Sequence, residues 1–340
     1  MKRWAWIVVS LLSLGAVVWW ASRQQAPRMP SGAGGALWLV ASVAVYGTAL
    51  ALRGWRWHRI MVLSGIQHHR ADAYGLTLVA YMGNTVLPLR GGEVLRVTIM
   101  KKRSPASLSE IIGSVIAERL FDLVALAAMF AVLTWEGVAG SPTGRLAADI
   151  AAAAIVAAAA IVALYLVLRR GGHLEGLAAK IRPFVLASKL LARPEGVRLL
   201  AISLLIWLGE GLTLLLVGYA LALHLTVFEA LLTAVIAALA ASLPAGPGYA
   251  GSYDAGVLLA LRGSGIVGGA AVGFLLLARF VVFVPVTVVG SGLFVLHYGG
   301  LRLRRGRVQA STHKGYERMR LGSPLSGTET TGTAARKSEA

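Results

Sequence analysis

The 340-residue sequence contains no cysteine, and only 14% of its residues are charged. The absence of cysteine excludes a disulfide framework, a thiolate-bound zinc site and thiol catalysis. Since soluble domains carry about 25% charged residues, the low charge content excludes an ordinary cytosolic enzyme and a disordered chain. Hydrophobic residues, in contrast, make up 57% of the sequence. This composition predicts an all-α integral membrane protein with several spans.

Acidic residues are also scarce, with 15 Asp and Glu against 33 Lys and Arg, which gives a net charge of +18. A charge of this size also occurs in nucleic-acid-binding proteins. Here, however, the basic residues lie between long apolar runs, as is typical of the flanks of membrane spans. We therefore expect membrane lipids as partners and no nucleic acid. The histidines lack metal-ligand spacing with acids, so we expect no metal and no cofactor.

Six stretches are apolar over the roughly 20 residues that a membrane-spanning helix needs, namely 4–22, 36–53, 108–134, 146–168, 199–222 and 266–298. Two further apolar stretches, 71–100 and 227–263, are interrupted by Gly and Pro. The prediction is a polytopic helical bundle with six full spans and two broken, re-entrant hairpins. Residues 1–300 form the transmembrane domain, with 4–22 as an uncleaved anchor, and 301–340 form a basic, disordered tail.

The distribution of Lys and Arg predicts the orientation, because cytoplasmic loops are enriched in them. With both termini in the cytoplasm, Arg53, Arg56, Arg59 and Arg70 fall in a cytoplasmic loop, and the basic segment 169–198 lies on the same side. The two broken segments then enter from opposite faces of the membrane. This arrangement predicts an inverted repeat, with the working site where the two hairpin tips meet. We expect the chain in the inner (plasma) membrane of the cell.

The first broken segment carries helix-breaking and charged residues between apolar flanks. Pro88 ends one helix, and Gly91–Gly92 permit a tight reversal of the chain. Glu93 then opens a second short helix, where its charge suits the positive end of the helix dipole. Arg90 and Arg96 flank Glu93 and are close enough to pair with it. The alternative is a Gly/Pro loop at the membrane interface with Glu93 as its helix cap.

The second broken segment has the same order of residues: a helix-breaking proline, glycine in the turn, and then an acid. Pro244 breaks a helix, Gly248 lies in the turn, and Asp254 stands just inside a new helix. The alternatives are an ordinary external loop capped by Asp254, or two short spans in place of a re-entrant hairpin.

Further ionisable residues fall near the middle of apolar spans. Glu118 and Asp122 are four residues apart and share one helical face, with Arg119 beside them. Glu210 and Arg279 lie at similar depth in 199–222 and 266–298. Charged groups at this depth are costly and are usually functional. The alternative is a structural knot of mutually paired charges, which would also be compatible with function.

At these residues the chain resembles the flippase-like transmembrane region of the lysylphosphatidylglycerol synthases, which occurs fused in the multiple peptide resistance factors and alone in many bacterial and archaeal proteins. The family's first motif is approximately N-x-x-x-P-x-R-x-G-E-x-x-R, matched by Asn84, Pro88, Arg90, Gly92, Glu93 and Arg96. The other matches are Glu118, Arg119 and Asp122 to its E-R-x-x-D pattern, Pro244 to Asp254 to its Pro/Gly turn and acid, and Arg279 to its last-helix arginine. The sequence departs from the family in having Tyr249-Ala250 within the Gly run and Asp254 in place of Glu.

The resemblance covers about residues 1–300 and implies a lipid flippase that moves a phospholipid or isoprenoid-linked headgroup between leaflets. The chain ends soon after the last predicted helix, so we expect no aminoacyl-transferase chemistry and no enzyme activity. The candidate substrate-binding and translocation residues are Asn84, Pro88, Arg90, Gly92, Glu93, Arg96, Glu118, Arg119, Asp122, Glu210, Pro244, Gly248, Asp254 and Arg279.

Three other functions remain open from the sequence. They are a membrane-embedded transferase that uses a lipid-linked donor, a small-solute or ion transporter, and a non-catalytic accessory subunit of envelope lipid or glycan synthesis. The sequence also leaves open a homo-oligomer and an envelope-synthesis partner.

Overall fold

The computed structural model describes residues 29–87, 90–137, 194–242 and 246–299. Within these ranges the chain forms eight α-helices, one 3-10 turn and no strand. The helices are α1 (Gly32–Leu63), α2 (Arg70–Val86), α3 (Gly91–Arg103), α4 (Leu108–Gly137), α5 (Pro194–Ala220), α6 (Val227–Ala241), α7 (Ser252–Gly263) and α8 (Gly268–Leu296), and the 3-10 turn is Pro247–Tyr249.

The chain divides into two compact units, residues 1–293 and 294–340. The second unit is described only at 294–299, where the rings of His297 and Tyr298 stack edge to face with their centroids 5.0 Å apart. Several predictions lie outside the described residues: the spans 4–22 and 146–168, the tail 301–340, and the residues Pro88 and Pro244.

Three of the described helices, α1, α5 and α8, are long and apolar enough to cross a membrane. They correspond to the predicted spans 36–53, 199–222 and 266–298. The predicted span 108–134 is α4, a helix of 30 residues that carries three charged residues near its middle. The described residues thus agree with a helical membrane protein, and the total of six spans stays a prediction.

Helix α1 is longer than the apolar stretch 36–53 and continues to Leu63. The prediction that Arg53 and Arg56 lie in a cytoplasmic loop is therefore wrong. Both side chains are buried, with exposed fractions of 2% and 0%. The physical reason is that carboxylates from other helices neutralise them, which a count of basic residues along the chain does not reveal.

Helices α1 and α5 pack against each other in antiparallel orientation. Near one end Gly35 lies against the Ala220 carbonyl, and farther along Ala49 lies against Gly209. Small residues at these positions let the two backbones approach closely, as is typical of helix pairs in membranes.

The main hydrophobic core lies between α1 and α5–α8. It includes Tyr46 of α1, Val217 of α5, Val257 of α7 and Phe274 of α8, all of them buried. A second apolar cluster joins the C-terminal half of α4 to α5 and α6. The second hairpin, α6 and α7, is therefore embedded in apolar packing, and α2 of the first hairpin contributes the partly buried Leu78 and Tyr81.

Each predicted broken segment forms a helical hairpin. In the first, α2 and α3 run antiparallel, because Asp72 pairs with Arg103 at 2.8 Å at the open end and Gly83 lies against Gly92 at the tip. In the second, formed by α6 and α7, Gly256 lies against the α6 backbone. The break in each predicted segment is thus confirmed as a reversal of the chain.

The described helices repeat one pattern of elements. A long helix, a loop of six residues, a hairpin, a loop of four residues and another long helix occur in α1–α4 and again in α5–α8. Packing repeats as well: Gly54 of α1 receives Tyr74 of α2, and Gly211 of α5 receives Leu231 of α6. Gly211 follows Gly54 by 157 residues in the sequence, and Leu231 follows Tyr74 by the same number.

The tip of the first hairpin predicts a sensitive position. A Cβ atom on Gly92 would overlap the Ala80 carbonyl oxygen and would lie 2.6 Å from the Asn84 backbone nitrogen. We expect Gly92→Ala to destabilise the protein by at least the ~1–3 kcal/mol typical of overpacking, measured as a lower midpoint of thermal unfolding in detergent. The control is Gly47→Ala, because no atom lies within 4 Å of a Cβ there. Equal midpoints for the two variants would contradict this packing.

Candidate functional site: a buried charge network and a polar cavity

Eight ionisable side chains from α1, α3, α4 and α5 form one connected network of ion pairs. Its members are the arginines Arg53, Arg56, Arg96 and Arg119 and the carboxylates Glu93, Glu118, Asp122 and Glu210. The formal charges balance, so the network as a whole is neutral. Because an unpaired buried ion costs several kcal/mol, this balance is what allows the charges to lie inside the bundle.

Glu118 and Asp122 form the centre of the network. Glu118 accepts a hydrogen bond from Arg96 at 3.0 Å and pairs with Arg56 at 3.4 Å. Asp122 accepts from Arg56 at 2.7 Å and pairs with Arg119 at 3.3 Å. Their spacing of four residues on α4 places both carboxylates on one face, so arginines from α1 and α3 converge there.

Glu93 and Glu210 extend the network in two directions. Glu93, on the third residue of α3, accepts from Arg96 at 2.7 Å and from Arg119. Glu210 of α5 accepts from Arg53 of α1 at 2.6 Å. The network therefore ties the first hairpin to α4 and ties α1 to α5.

Two tryptophans, Trp57 and Trp207, lie against arginines of the network. Trp207 donates its indole N–H to Asp122 at 3.3 Å, and the Arg53 guanidinium lies 4.9 Å from the Trp207 ring. The Arg96 guanidinium lies 4.3 Å from the Trp57 ring. Cation–π contacts gain strength when they are desolvated, so these rings stabilise arginines that have lost their water.

The two hairpin tips meet, as the sequence predicts. Arg90 of the first tip donates a hydrogen bond from Nη2 to the Ala241 carbonyl of the second hairpin at 2.8 Å. Its guanidinium also lies 5.5 Å from the ring of Tyr249 in the 3-10 turn. Within the first tip, the Asn84 side-chain oxygen accepts from the Gly92 N–H at 3.1 Å. The contact joins two segments about 150 residues apart in sequence.

A cavity of about 370 Å³ opens beside this contact. This volume lies within the ~300–1,000 Å³ typical of small-ligand sites. Its polar lining consists of Tyr46, Arg53, Tyr81, Asn84, Thr85, Arg90, Glu93, Arg119, Asp122, Glu210, Ser242, Tyr249 and Tyr253. Apolar side chains of α4, α5, α6 and α8 line the rest. The cavity thus combines charged and hydroxyl groups with apolar walls.

A separate ion pair lies in the second half of the chain. Arg279 of α8 donates to both carboxylate oxygens of Asp254, at 2.5 and 2.8 Å. Asp254, on the third residue of α7, also accepts from the Gly251 N–H at 2.9 Å. Arg279 reaches the Gly248 carbonyl at 3.4 Å. The expected acid at the start of the second short helix is therefore present and paired.

The structure brings most of the predicted site residues together. Asn84, Arg90, Glu93, Arg119, Asp122 and Glu210 line the cavity. Arg96 and Glu118 lie behind it, fully buried in the network, and Gly92 lies at the hairpin crossing. Gly248, Asp254 and Arg279 form the neighbouring group rather than the cavity wall.

Sequence reasoning missed several residues of the site. Arg53 and Arg56 were assigned to a loop, although their spacing of three residues would place them on one face if the helix were extended. Tyr81, Trp207 and Tyr249 carry no motif, and only the fold places their rings beside arginines.

Comparison with known proteins places the chain in a family of membrane proteins. The sequence matches the family described as the lysylphosphatidylglycerol synthase transmembrane region over residues 5–290. The chain belongs to this family. The membership confirms the resemblance seen in the motifs, and it agrees with the helical membrane architecture.

The chain is also similar in sequence to two known proteins. A UPF0104 membrane protein of Methanocaldococcus jannaschii is 23% identical over 63% of this chain and 93% of its own length. Glycosyltransferase AglD of Haloferax volcanii is 31% identical over 96 residues, which are 28% of this chain and 15% of that protein. No solved structure matches the sequence.

The network predicts a large cost for removing one central charge. We expect Glu118→Gln to destabilise the protein by about 3–5 kcal/mol, because it leaves Arg56 and Arg96 without a shared buried partner. The measurement is the thermal midpoint of the purified protein in detergent.

The matched control for Glu118→Gln is Glu229→Gln, which removes the same charge. Glu229 closes a capping box with Thr226 at the start of α6, and Gln serves equally well at that position of the motif. If both variants lowered the midpoint to the same degree, the network would not be the stabilising element that its geometry implies.

Proposed function

We propose that this protein moves the headgroup of a membrane lipid between leaflets through the polar cavity, while the acyl tails stay in the surrounding lipid. The observation that carries the proposal is the meeting of two hairpin tips beside a charged cavity inside an apolar bundle. Irregular backbone at membrane depth is tolerated where protein or water satisfies its polar groups. The tips are polar and contact each other, so they suit a lined pathway.

Matched positions in the two halves support an inverted repeat, which would suit this function. The acids Glu93 and Asp254 both occupy the third residue of the second hairpin helix, and the arginines Arg119 and Arg279 both occupy the twelfth residue of the following long helix. In each half the acid pairs with that arginine. The antiparallel packing of α1 and α5 supports opposite orientations of the two halves in the membrane.

Repeats of opposite orientation suit alternating access, in which one half moves against the other around a central site. Arg53 and Glu210 both lie ten residues before the end of the first long helix of their half, and they pair with each other. A pseudo-twofold axis would therefore pass beside this pair and next to the cavity. We place the protein in the plasma membrane with both termini in the cytoplasm, as the basic residues predict.

Covalent chemistry is not part of the proposal. Each carboxylate that lines the cavity within the described residues, Glu93, Asp122 and Glu210, makes an ion pair with an arginine. A general base must lie within hydrogen-bond reach of the proton that it abstracts, and these carboxylates are instead held by arginines. The similarity to a glycosyltransferase covers 15% of that protein, so a lipid-linked transferase is the second candidate and carries less support.

The test of this proposal is a substitution whose larger side chain fills the cavity. Ala238 lines the cavity on α6, and we expect Ala238→Trp to reduce lipid translocation in proteoliposomes by at least tenfold, because the indole occupies the space a headgroup needs. The lipid panel contains aminoacylated and plain phosphatidylglycerol, phosphatidylethanolamine and a polyprenyl phosphate. Leaflet exchange is followed by quenching of the labelled lipid from outside.

The matched control for the cavity variant is Ala255→Trp, an exposed position on α7 of the same hairpin. It should translocate lipid at the wild-type rate. Thermal midpoints of both variants exclude unfolding as the cause. Equal rates for wild type and Ala238→Trp, or no translocation of any lipid by folded wild type, would overturn the proposed function.

A further inference from the structure

One arginine of the cavity has no ion pair with a carboxylate in the part of the chain that the structure describes. Arg53 and Arg119 both pair with acids, but no carboxylate of the described residues lies within ion-pair distance of Arg90. Arg90 donates to the Ala241 carbonyl and lies over the Tyr249 ring, and its charge also attracts Glu93 from beyond ion-pair distance. The described cavity wall carries three arginines, Arg53, Arg90 and Arg119, and three carboxylates, Glu93, Asp122 and Glu210. The eight-residue network is neutral by itself, so the network and Arg90 together have one positive charge in excess.

The donors around Arg90 suit an oxyanion. A guanidinium has five N–H donors, and the bond to Ala241 uses one of them. Asn84, which also lines the cavity, accepts from the Gly92 N–H with its oxygen, and its side chain also hydrogen-bonds to Tyr249, so at least one of its two amide N–H groups is left as a donor. Arginine and an amide donor together match the several acceptor oxygens of a phosphate.

The backbone fixes this arrangement. Arg90 and Tyr249 both have left-handed backbone conformations, with φ of 53° and 55°. Non-glycine residues adopt this region rarely, and such strain persists where the surrounding structure imposes it, often at binding sites. Both strained residues lie at the contact between the tips, so the guanidinium is held in place before a ligand arrives.

We propose that Arg90 binds the phosphate of an anionic lipid headgroup, and that the cavity prefers such a headgroup to a cationic, aminoacylated one. This inference rests on the proposed function. A cationic headgroup would require a free carboxylate, and each acid of the described cavity wall is paired with arginine. Its ammonium groups would instead meet the guanidinium of Arg90, for which no carboxylate of the described residues lies within ion-pair distance.

The experiment measures binding rather than translocation. Purified full-length protein in a neutral detergent is titrated with dioctanoyl phosphatidylglycerol, its lysyl ester, dioctanoyl phosphatidylcholine, glycerol phosphate and inorganic phosphate. We expect phosphatidylglycerol to bind more tightly than its lysyl ester and than phosphatidylcholine. Its affinity should fall about tenfold or more in Arg90→Gln, since a hydrogen bond to a charged group is lost.

The control is Arg262→Gln, which removes the same charge from an exposed position at the end of α7 and should bind like wild type. Unchanged affinity in Arg90→Gln, or tighter binding of the lysyl ester than of phosphatidylglycerol, would overturn the inference. Should Arg90→Gln fail to fold, the inference is tested on wild type alone by the rank order of the three lipids. Tightest binding of phosphatidylglycerol would support it, and tighter binding of the lysyl ester would overturn it.

Two further outcomes separate the sources of the anion and the two proposals. Inorganic phosphate or glycerol phosphate binding as tightly as the lipid would overturn the lipid as the ligand's source and would support Arg90 as an anion ligand. Arg90-dependent lipid binding without translocation in proteoliposomes would overturn the proposed function and would support the anion site.

Discussion

The mutual neutralisation of buried charges is the constraint on which this structure depends. Four arginines and four carboxylates lie in one network inside an apolar bundle, and each needs its partners because removing one leaves an uncompensated ion. The network fixes where α1, α3, α4 and α5 stand relative to one another, since Arg56 and Arg96 reach α4 from two helices. The cavity is the space left beside this fixed frame.

The hairpins follow from the same requirement. A helix interrupted inside a membrane exposes backbone groups that must find partners within the protein, and here each break is used to bring polar groups to one place. Glycine at the first tip permits the close crossing at Gly83 and Gly92. The acid on the third residue of the following helix, Glu93 or Asp254, then receives an arginine from the next long helix. Break, reversal and ion pair form one unit that occurs twice.

The sequence predicted the helical membrane class, the two broken segments and the convergence of their tips, because Gly, Pro and charged residues within apolar runs are strong local signals. It did not predict the burial of Arg53 and Arg56, because a helix that continues past its apolar stretch looks like a basic loop until its partners are known. Tyr249 and Trp207 could not be found from sequence either, since their roles depend on contacts across more than 80 residues.

The repeat is symmetric in its elements and asymmetric in its electrostatics. Arg53 and Glu210 occupy matched positions in the two halves but carry opposite charges, so they form an ion pair with each other. An exact twofold axis would instead bring two identical residues, and therefore two like charges, together at these positions. In the first half Glu93 belongs to the shared network, whereas in the second half Asp254 pairs with Arg279 alone among the described residues. The polar links described between the tips are the hydrogen bond and the cation–π contact of Arg90 and a side-chain hydrogen bond between Asn84 and Tyr249. Separating the tips would therefore cost far less polar interaction than breaking the network, and the first-tip residues that it would release, Arg90 and Asn84, both line the cavity.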